Sequence, residues 1–155
     1  MIEDSAADAE IIARRLMRSH RFEVSLTHCP TVAGGERTLR EAAARADAFD
    51  LVIVDYWLDA GHSVDLLRRC GCLPDLPIVL LTGSDLRVVE DEAFDAGVAA
   101  CLSKDDITGG ALDSALAAAL RGHARMRDER RRTADLVAAL HARAPAHRPR
   151  GVTGR

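Results

Sequence analysis

Lysine is nearly absent from this chain. Of its 21 basic residues, 20 are arginine and one, Lys104, is lysine. Aromatic residues are scarce as well, at 3%: one Trp, one Tyr and three Phe. The core therefore has to be built from Ala, Val, Leu and Ile. No apolar run approaches the roughly 20 residues that a membrane span requires. The acidic opening Glu3-Asp4 lacks the charged and apolar regions of a signal peptide. The four cysteines, Cys29, Cys70, Cys72 and Cys101, show neither metal-ligand spacing nor a disulfide framework, and Cys70 and Cys72 stand too close for a CxxC pair. These absences point to a reduced, cytoplasmic protein without a membrane segment.

What is present is enough for one domain and a short appendage: 155 residues, 48% of them hydrophobic. The charge is uneven. Residues 121–155 hold ten Arg against three acidic residues, whereas the first 120 hold 11 basic and 21 acidic residues. An acidic domain carries a basic tail. We expect a main domain over 1–120, a helical extension over 121–143 and a disordered basic tail over 144–155, where Pro145, Pro149, Gly151 and Gly154 cluster.

Leu51-Val52-Ile53-Val54 is a continuous apolar run, the signature of a strand buried on both faces, and it ends in Asp55. Pro77 to Leu81 repeats the pattern and ends at Thr82. Val98 to Leu102 gives a further strand, ending at Ser103-Lys104. Phe22 to Leu26 alternates apolar and polar residues as a strand does, and Met1-Ile2 is a strand end before Glu3-Asp4. Between the strands, helical spacing predicts helices over 6–19 (Ile11, Ile12, Leu16, Met17, with Ser5 as N-cap), over 36–46, around Val64, Leu66 and Leu67, and over 87–95 with Gly97 as the stop. Cys29–Gly35 and Asp59–Gly61 are expected as loops. A long last helix begins near Thr108. Five alternations of strand and helix predict a doubly wound α/β domain on a five-stranded parallel sheet.

Such sheets bind ligands outside the carboxyl ends of their strands. Those ends carry Glu3 and Asp4, Asp55, Thr82 and Lys104. Taken singly, each has an ordinary explanation: acids at a helix start, a turn threonine, a solvated lysine. Together they place three carboxylates, a hydroxyl and an ammonium at one rim. Close carboxylates repel unless a cation joins them, and oxygen ligands suit Mg²⁺. A carboxylate beside Mg²⁺ can attack phosphorus, and donors such as Lys104 and Thr82 can neutralise the transferred phosphoryl oxygens. A chain that uses Arg everywhere else and keeps its one Lys at this rim needs a compact point charge there.

With Glu3-Asp4, Leu51-Val-Ile-Val-Asp55, Leu80-Leu-Thr-Gly83, Ala96-Gly97 and Leu102-Ser-Lys104 in view, residues 1 to about 120 resemble the receiver domain of bacterial two-component response regulators. The resemblance implies a flavodoxin-like sheet in the order 2-1-3-4-5. It implies Asp55 as acceptor of a phosphoryl group from a sensor histidine kinase or phosphotransfer protein. Glu3, Asp4, Asp55 and the backbone carbonyl of Trp57 would hold Mg²⁺, while Thr82 and Lys104 would contact the phosphoryl oxygens. Three positions depart from the family pattern. Cys101 stands where an aromatic residue usually does, Asp105 follows the lysine where proline usually does, and Trp57 replaces a small or polar residue. With only Met1 and Ile2 before the acid pair, the central first strand is either stunted or begins upstream.

Leu112, Leu116 and Leu120 form the stripe of a helix packed on the sheet. Leu116, Ala119, His123, Met126, Val137 and Leu140 continue as a heptad seam, which suggests a homodimer through the last helix. The leading function is thus a stand-alone receiver that signals by phosphorylation-dependent partner binding or phosphorelay, with self-phosphorylation and slow autodephosphorylation rather than enzyme turnover. An alternative is a nucleic-acid-binding regulator using the Arg-rich helix. It is weaker, because 35 residues are few for an output module and no aromatics are interleaved with the basic residues. A phosphatase of the haloacid-dehalogenase type also uses an Asp nucleophile, but after the first strand and in an Asp-x-Asp motif, which Asp55-Tyr56-Trp57 lacks.

Overall fold

The computed structural model describes residues 1–45, 49–59, 61–64, 67 and 76–143. Its sheet is built from the two apolar runs and a third strand after them. β1 (Val52–Asp55) pairs in parallel with β4 (Ile78–Thr82), and β4 pairs in parallel with β5 (Ala100–Ser103), in the order β1-β4-β5. These are the expected third, fourth and fifth strands. The expected first and second strands are reduced to single bridges among the described residues: Ile2 bridges Val54 on one side and Cys29 on the other. Phe22–Leu26 is not a strand. Met1–Glu3 pair with residues 27–29, through Met1 N to Thr27 O, Cys29 N to Met1 O and Glu3 N to Cys29 O.

Both faces of the sheet are covered, and the strands alternate between them. Val52, Val54, Ile78 and Leu80 enter one buried cluster with Ile2, Leu39, Tyr56, Val89 and Ala93. Ile53, Val79 and Leu81 enter the other with Ile12, Leu16, Leu112, Leu116 and Ala119. Helices α2 (Val32–Ala44) and α3 (Leu86–Asp95) supply the first cluster, and α1 (Ala6–Met17) and α4 (Gly109–Arg143) the second. Each fully buried Leu, Ile or Val contributes about 1.5–3 kcal/mol. Such residues on both sides hold the strand ends in fixed register.

Local chemistry sets most boundaries. The Ser5 side chain caps α1 by accepting from Asp8 N, Asp85 caps α3 by accepting from Arg87 N, and Gly97 ends α3 at φ +91°. Two expectations are corrected. Helix α2 starts at Val32, not 36, and Gly34-Gly35 lie inside it rather than in a loop. Thr31 supplies the cap by accepting from Gly34 N. At Gly35 a Cβ would lie 2.4 Å from Ile2 Cδ1, so this glycine is a packing contact and not a turn. Gly61, expected in a loop, is a strand residue: it opens β3 (Gly61–His62), which pairs antiparallel with β2 (Trp57–Leu58). Ser63, Val64 and Leu67 are helical. Leu66, Cys70, Cys72 and the basic tail lie outside the described residues.

Residues Met1–Ala124 form one compact unit, and the chain from Arg125 a second. Within the first unit Leu116, Ala119 and His123 are buried. They continue the face of Leu112 at i+4, i+7 and i+11, so they pack on the domain core and are not free for a dimer seam. In the second unit Met126, Leu136, Val137 and Leu140 are exposed. Among the described residues no helix is long and apolar enough to cross a membrane.

Candidate phosphoacceptor site

Asp55 is the last residue of β1 and is buried. Ile2 is clamped against the same strand, donating from its N to Ile53 O at 2.9 Å and accepting from Asp55 N at 3.0 Å. That pairing brings the next residue, Glu3, to the strand end. Glu3 is held there by its backbone, since its N donates to Cys29 O and its carbonyl lies 2.8 Å from His28 Nε2. Its side chain is 1% exposed, and Oε1 accepts from Ser5 N at 3.1 Å. Asp4 is exposed. One carboxylate oxygen from each of Glu3, Asp4 and Asp55 lies within 4.8 Å of the other two.

Lys104 comes from the far side of the sheet. It opens the 3₁₀ turn Lys104–Asp106 after β5, where the Ser103 hydroxyl accepts from Asp105 N at 3.2 Å. Lys104 Nζ stands 2.7 Å from Asp8 Oδ2, 2.9 Å from Glu3 Oε2 and 3.1 Å from Asp55 Oδ2. One ammonium thus meets three carboxylates on three different segments. Thr82 ends β4, is fully buried, and its Oγ1 accepts from Ser84 N at 2.9 Å. Trp57 is half exposed and donates from Nε1 to Ser84 Oγ at 3.2 Å. Cys101 is paired in register with Leu80 and packs against the first core cluster. Burial, with the Glu90 charge, pushes its thiol up to about 11, so it stays neutral and unreactive.

The electrostatics are those of a crowded acid site. Burial raises the pKa of Glu3, an effect that Lys104 opposes and Asp55 adds to. Burial likewise raises that of Asp55 against the pull of Lys104. For Lys104, burial works against the ammonium, but the hydrogen bonds with Asp8, Glu3 and Asp55 outweigh it and hold its pKa above the ordinary value. A single cation thus leaves the acid cluster short of positive charge. An all-oxygen donor set with unmet negative charge is compatible with a hard divalent cation.

The structure brings Glu3, Asp4, Asp55 and Lys104 together and sets Thr82 at the adjoining strand end. Asp8 is a site residue that the strand-end pattern does not pick out: it lies in the first turn of α1, three residues after the N-cap Ser5, and meets Lys104 only through the fold.

No protein-family model matches the chain, and no curated protein matches it. Solved structures do. A response regulator receiver domain protein from Clostridium thermocellum is 21% identical, with a TM-score of 0.66 over 81% of this chain and 94% of that one. A CheY-like receiver domain protein from Methanospirillum hungatei is 17% identical, with a TM-score of 0.64 over 81% and 94%. A response regulator from Burkholderia pseudomallei, solved with a phosphorylated aspartic acid and a calcium ion, is 22% identical, with a TM-score of 0.61 over 83% and 69%. At these identities the likeness establishes the fold.

Proposed function

We propose that this chain, which has the fold of response regulator receiver domains, accepts a phosphoryl group on Asp55 from a sensor histidine kinase or phosphotransfer protein and signals by phosphorylation-dependent partner binding or phosphorelay. The observation that carries the reading is the approach of Lys104 Nζ to within 3.1 Å of Asp55 Oδ2 at the carboxyl edge of the sheet, beside the clustered carboxylates of Glu3 and Asp4. An Asp55 oxygen attacks phosphorus in line, the bond from phosphorus to the donor imidazole nitrogen breaks, and its electron pair stays on the imidazole. The product is an acyl phosphate. Glu3, Asp4, Asp55 and the Trp57 carbonyl would hold Mg²⁺, which supplies charge neutralisation to the phosphoryl oxygens. Lys104 is already positioned for those oxygens by Glu3 and Asp8, so it needs little reorganisation. Thr82, at the end of the adjacent strand, offers a hydroxyl to them.

The reading predicts phosphorylation and slow hydrolysis of the chain itself, without turnover of a separate substrate. Incubation with Mg²⁺ and acetyl phosphate should add one phosphoryl mass in wild type and none in Asp55→Asn or without a divalent cation. A phosphoryl adduct that persists in Asp55→Asn overturns the assignment.

A further inference from the structure

Asp55 is followed by Tyr56, the chain's only tyrosine, and it is buried. A buried tyrosine needs a partner for its hydroxyl, and among the described residues two stand within reach. The hydroxyl lies 3.0 Å from His62 Nδ1 on β3 and donates to Glu92 Oε2 on α3 at 3.4 Å. The ring belongs to the buried cluster that also holds Val89 and Ala93 of α3. The backbone of Tyr56 is fixed as well: its N donates to Leu81 O at 2.7 Å, next to Thr82, and its carbonyl accepts from Ser63 N at 2.9 Å. The following residue, Trp57, reaches Ser84 in the loop that leads into α3. On β5, the other route from the site toward α3, stands Cys101, too small to swing in and out as a lever.

From this arrangement we infer that Tyr56 is a positioning residue that transmits the state of Asp55 to helix α3, through its shared peptide bond with Asp55 at one end and its hydroxyl contact with Glu92 at the other. A shift of the Asp55 backbone moves the Tyr56 backbone directly. The ring is stiff, with two side-chain torsions and packing on every side, so that movement reaches Glu92 and is not absorbed on the way. The inference rests on Asp55 being the residue whose state changes, and one arm of the test is free of the phosphoryl chemistry.

The measurement is amide hydrogen exchange over residues 86–95, read by mass spectrometry on the full chain. In the first arm, Asp55→Asn removes the charge at the site without any phosphodonor. It should change exchange over 86–95, and the same substitution made in a Tyr56→Phe background should leave exchange there as in Tyr56→Phe alone. In the second arm, Mg²⁺ and acetyl phosphate should change exchange over 86–95 in wild type. In Tyr56→Phe that change should be lost while the phosphoryl mass gain is retained. Glu92→Ala, which removes the acceptor, should reproduce the loss. Equal changes at 86–95 with and without the Tyr56 hydroxyl, or no response of 86–95 to Asp55→Asn in the wild-type background, overturn the inference. Failure of Asp55 to gain mass overturns the phosphoacceptor reading and leaves the first arm to decide the role of Tyr56.

Discussion

Lys104 Nζ lies closer to Asp8 Oδ2, at 2.7 Å, than to Asp55 Oδ2, at 3.1 Å. The side chain that faces the proposed phosphoacceptor is therefore anchored from behind, by a helix-start acid and by the buried Glu3. An ammonium held in this way approaches a phosphoryl oxygen as a fixed point charge.

Lys104→Arg keeps the charge but not the geometry. A planar fork cannot sit among three carboxylates that converge on one nitrogen. Acetyl-phosphate labelling followed by mass should slow at least about tenfold, which corresponds to about 1.4 kcal/mol. Asp8→Ala, which removes a partly exposed partner, should cost about 0.5–1 kcal/mol in denaturant unfolding. Wild-type labelling by Lys104→Arg would mean that Lys104 is an ordinary surface lysine.

The raised carboxylates predict a pH-dependent stability. Because the folded-state pKa values of Glu3 and Asp55 lie above their unfolded values, burial first among the causes, their ionisation opposes folding. The stability tied to these two groups is fully present below the ordinary carboxylate range and is lost as pH rises through the raised values. Without divalent cations at pH 7, Asp55→Asn should therefore melt above wild type, by ~2–4 °C for each kcal/mol relieved. The gap should close as pH falls toward about 4, and Mg²⁺ should raise the melting temperature of wild type more than that of the variant. Scanning calorimetry at two pH values decides it, and a variant that melts below wild type at neutral pH without metal contradicts it.

Gly35→Ala should destabilise the fold by about 1–3 kcal/mol through overpacking, since its new methyl would meet Ile2 Cδ1 at 2.4 Å and Cγ1 at 2.7 Å. Adding Ile2→Val removes the Cδ1 clash and should recover part of the loss. Because Ile2 sets the position of Glu3, Gly35→Ala should also weaken binding of Mg²⁺, read by titration of the intrinsic fluorescence of Trp57.

The helix from Arg125 onward is the proposed self-association element. It is rich in Arg and Ala, and Met126, Leu136, Val137 and Leu140 are exposed on it. A short isolated helix has little reason to persist alone. Light scattering at tens of micromolar should give a dimer for the full chain and a monomer for a chain ending at Ala124. Two monomers would mean that this helix docks on a different protein. His123 is buried inside Met1–Ala124 and is not part of this exposed set.

What the sequence determined by itself was the set of strand-end chemical groups and the elements that carry them. β1 and β4 are written as uninterrupted apolar runs because a strand buried on both faces admits no polar residue until its end. Asp55 and Thr82 end them and stand out for that reason, and Lys104 stands out as the one lysine, just past the end of β5. Helix stops such as Gly97 are local backbone chemistry and were legible for the same cause. Tertiary structure alone decided the features that depend on what lies opposite. Phe22–Leu26 alternates as a strand does but is not paired as one. Gly34-Gly35 has the composition of a loop, yet it lies in a helix capped by Thr31, and Gly35 leaves the space that Ile2 fills. His123 fits a heptad seam, yet it faces the core. Asp8 looks like an ordinary acid in the first turn of a helix, yet it holds Lys104 from 96 residues away in sequence. Local pattern fixes which way a backbone segment tends to run. Pairing, close packing and ion contacts are settled between segments far apart in the chain, and no window of sequence contains both partners.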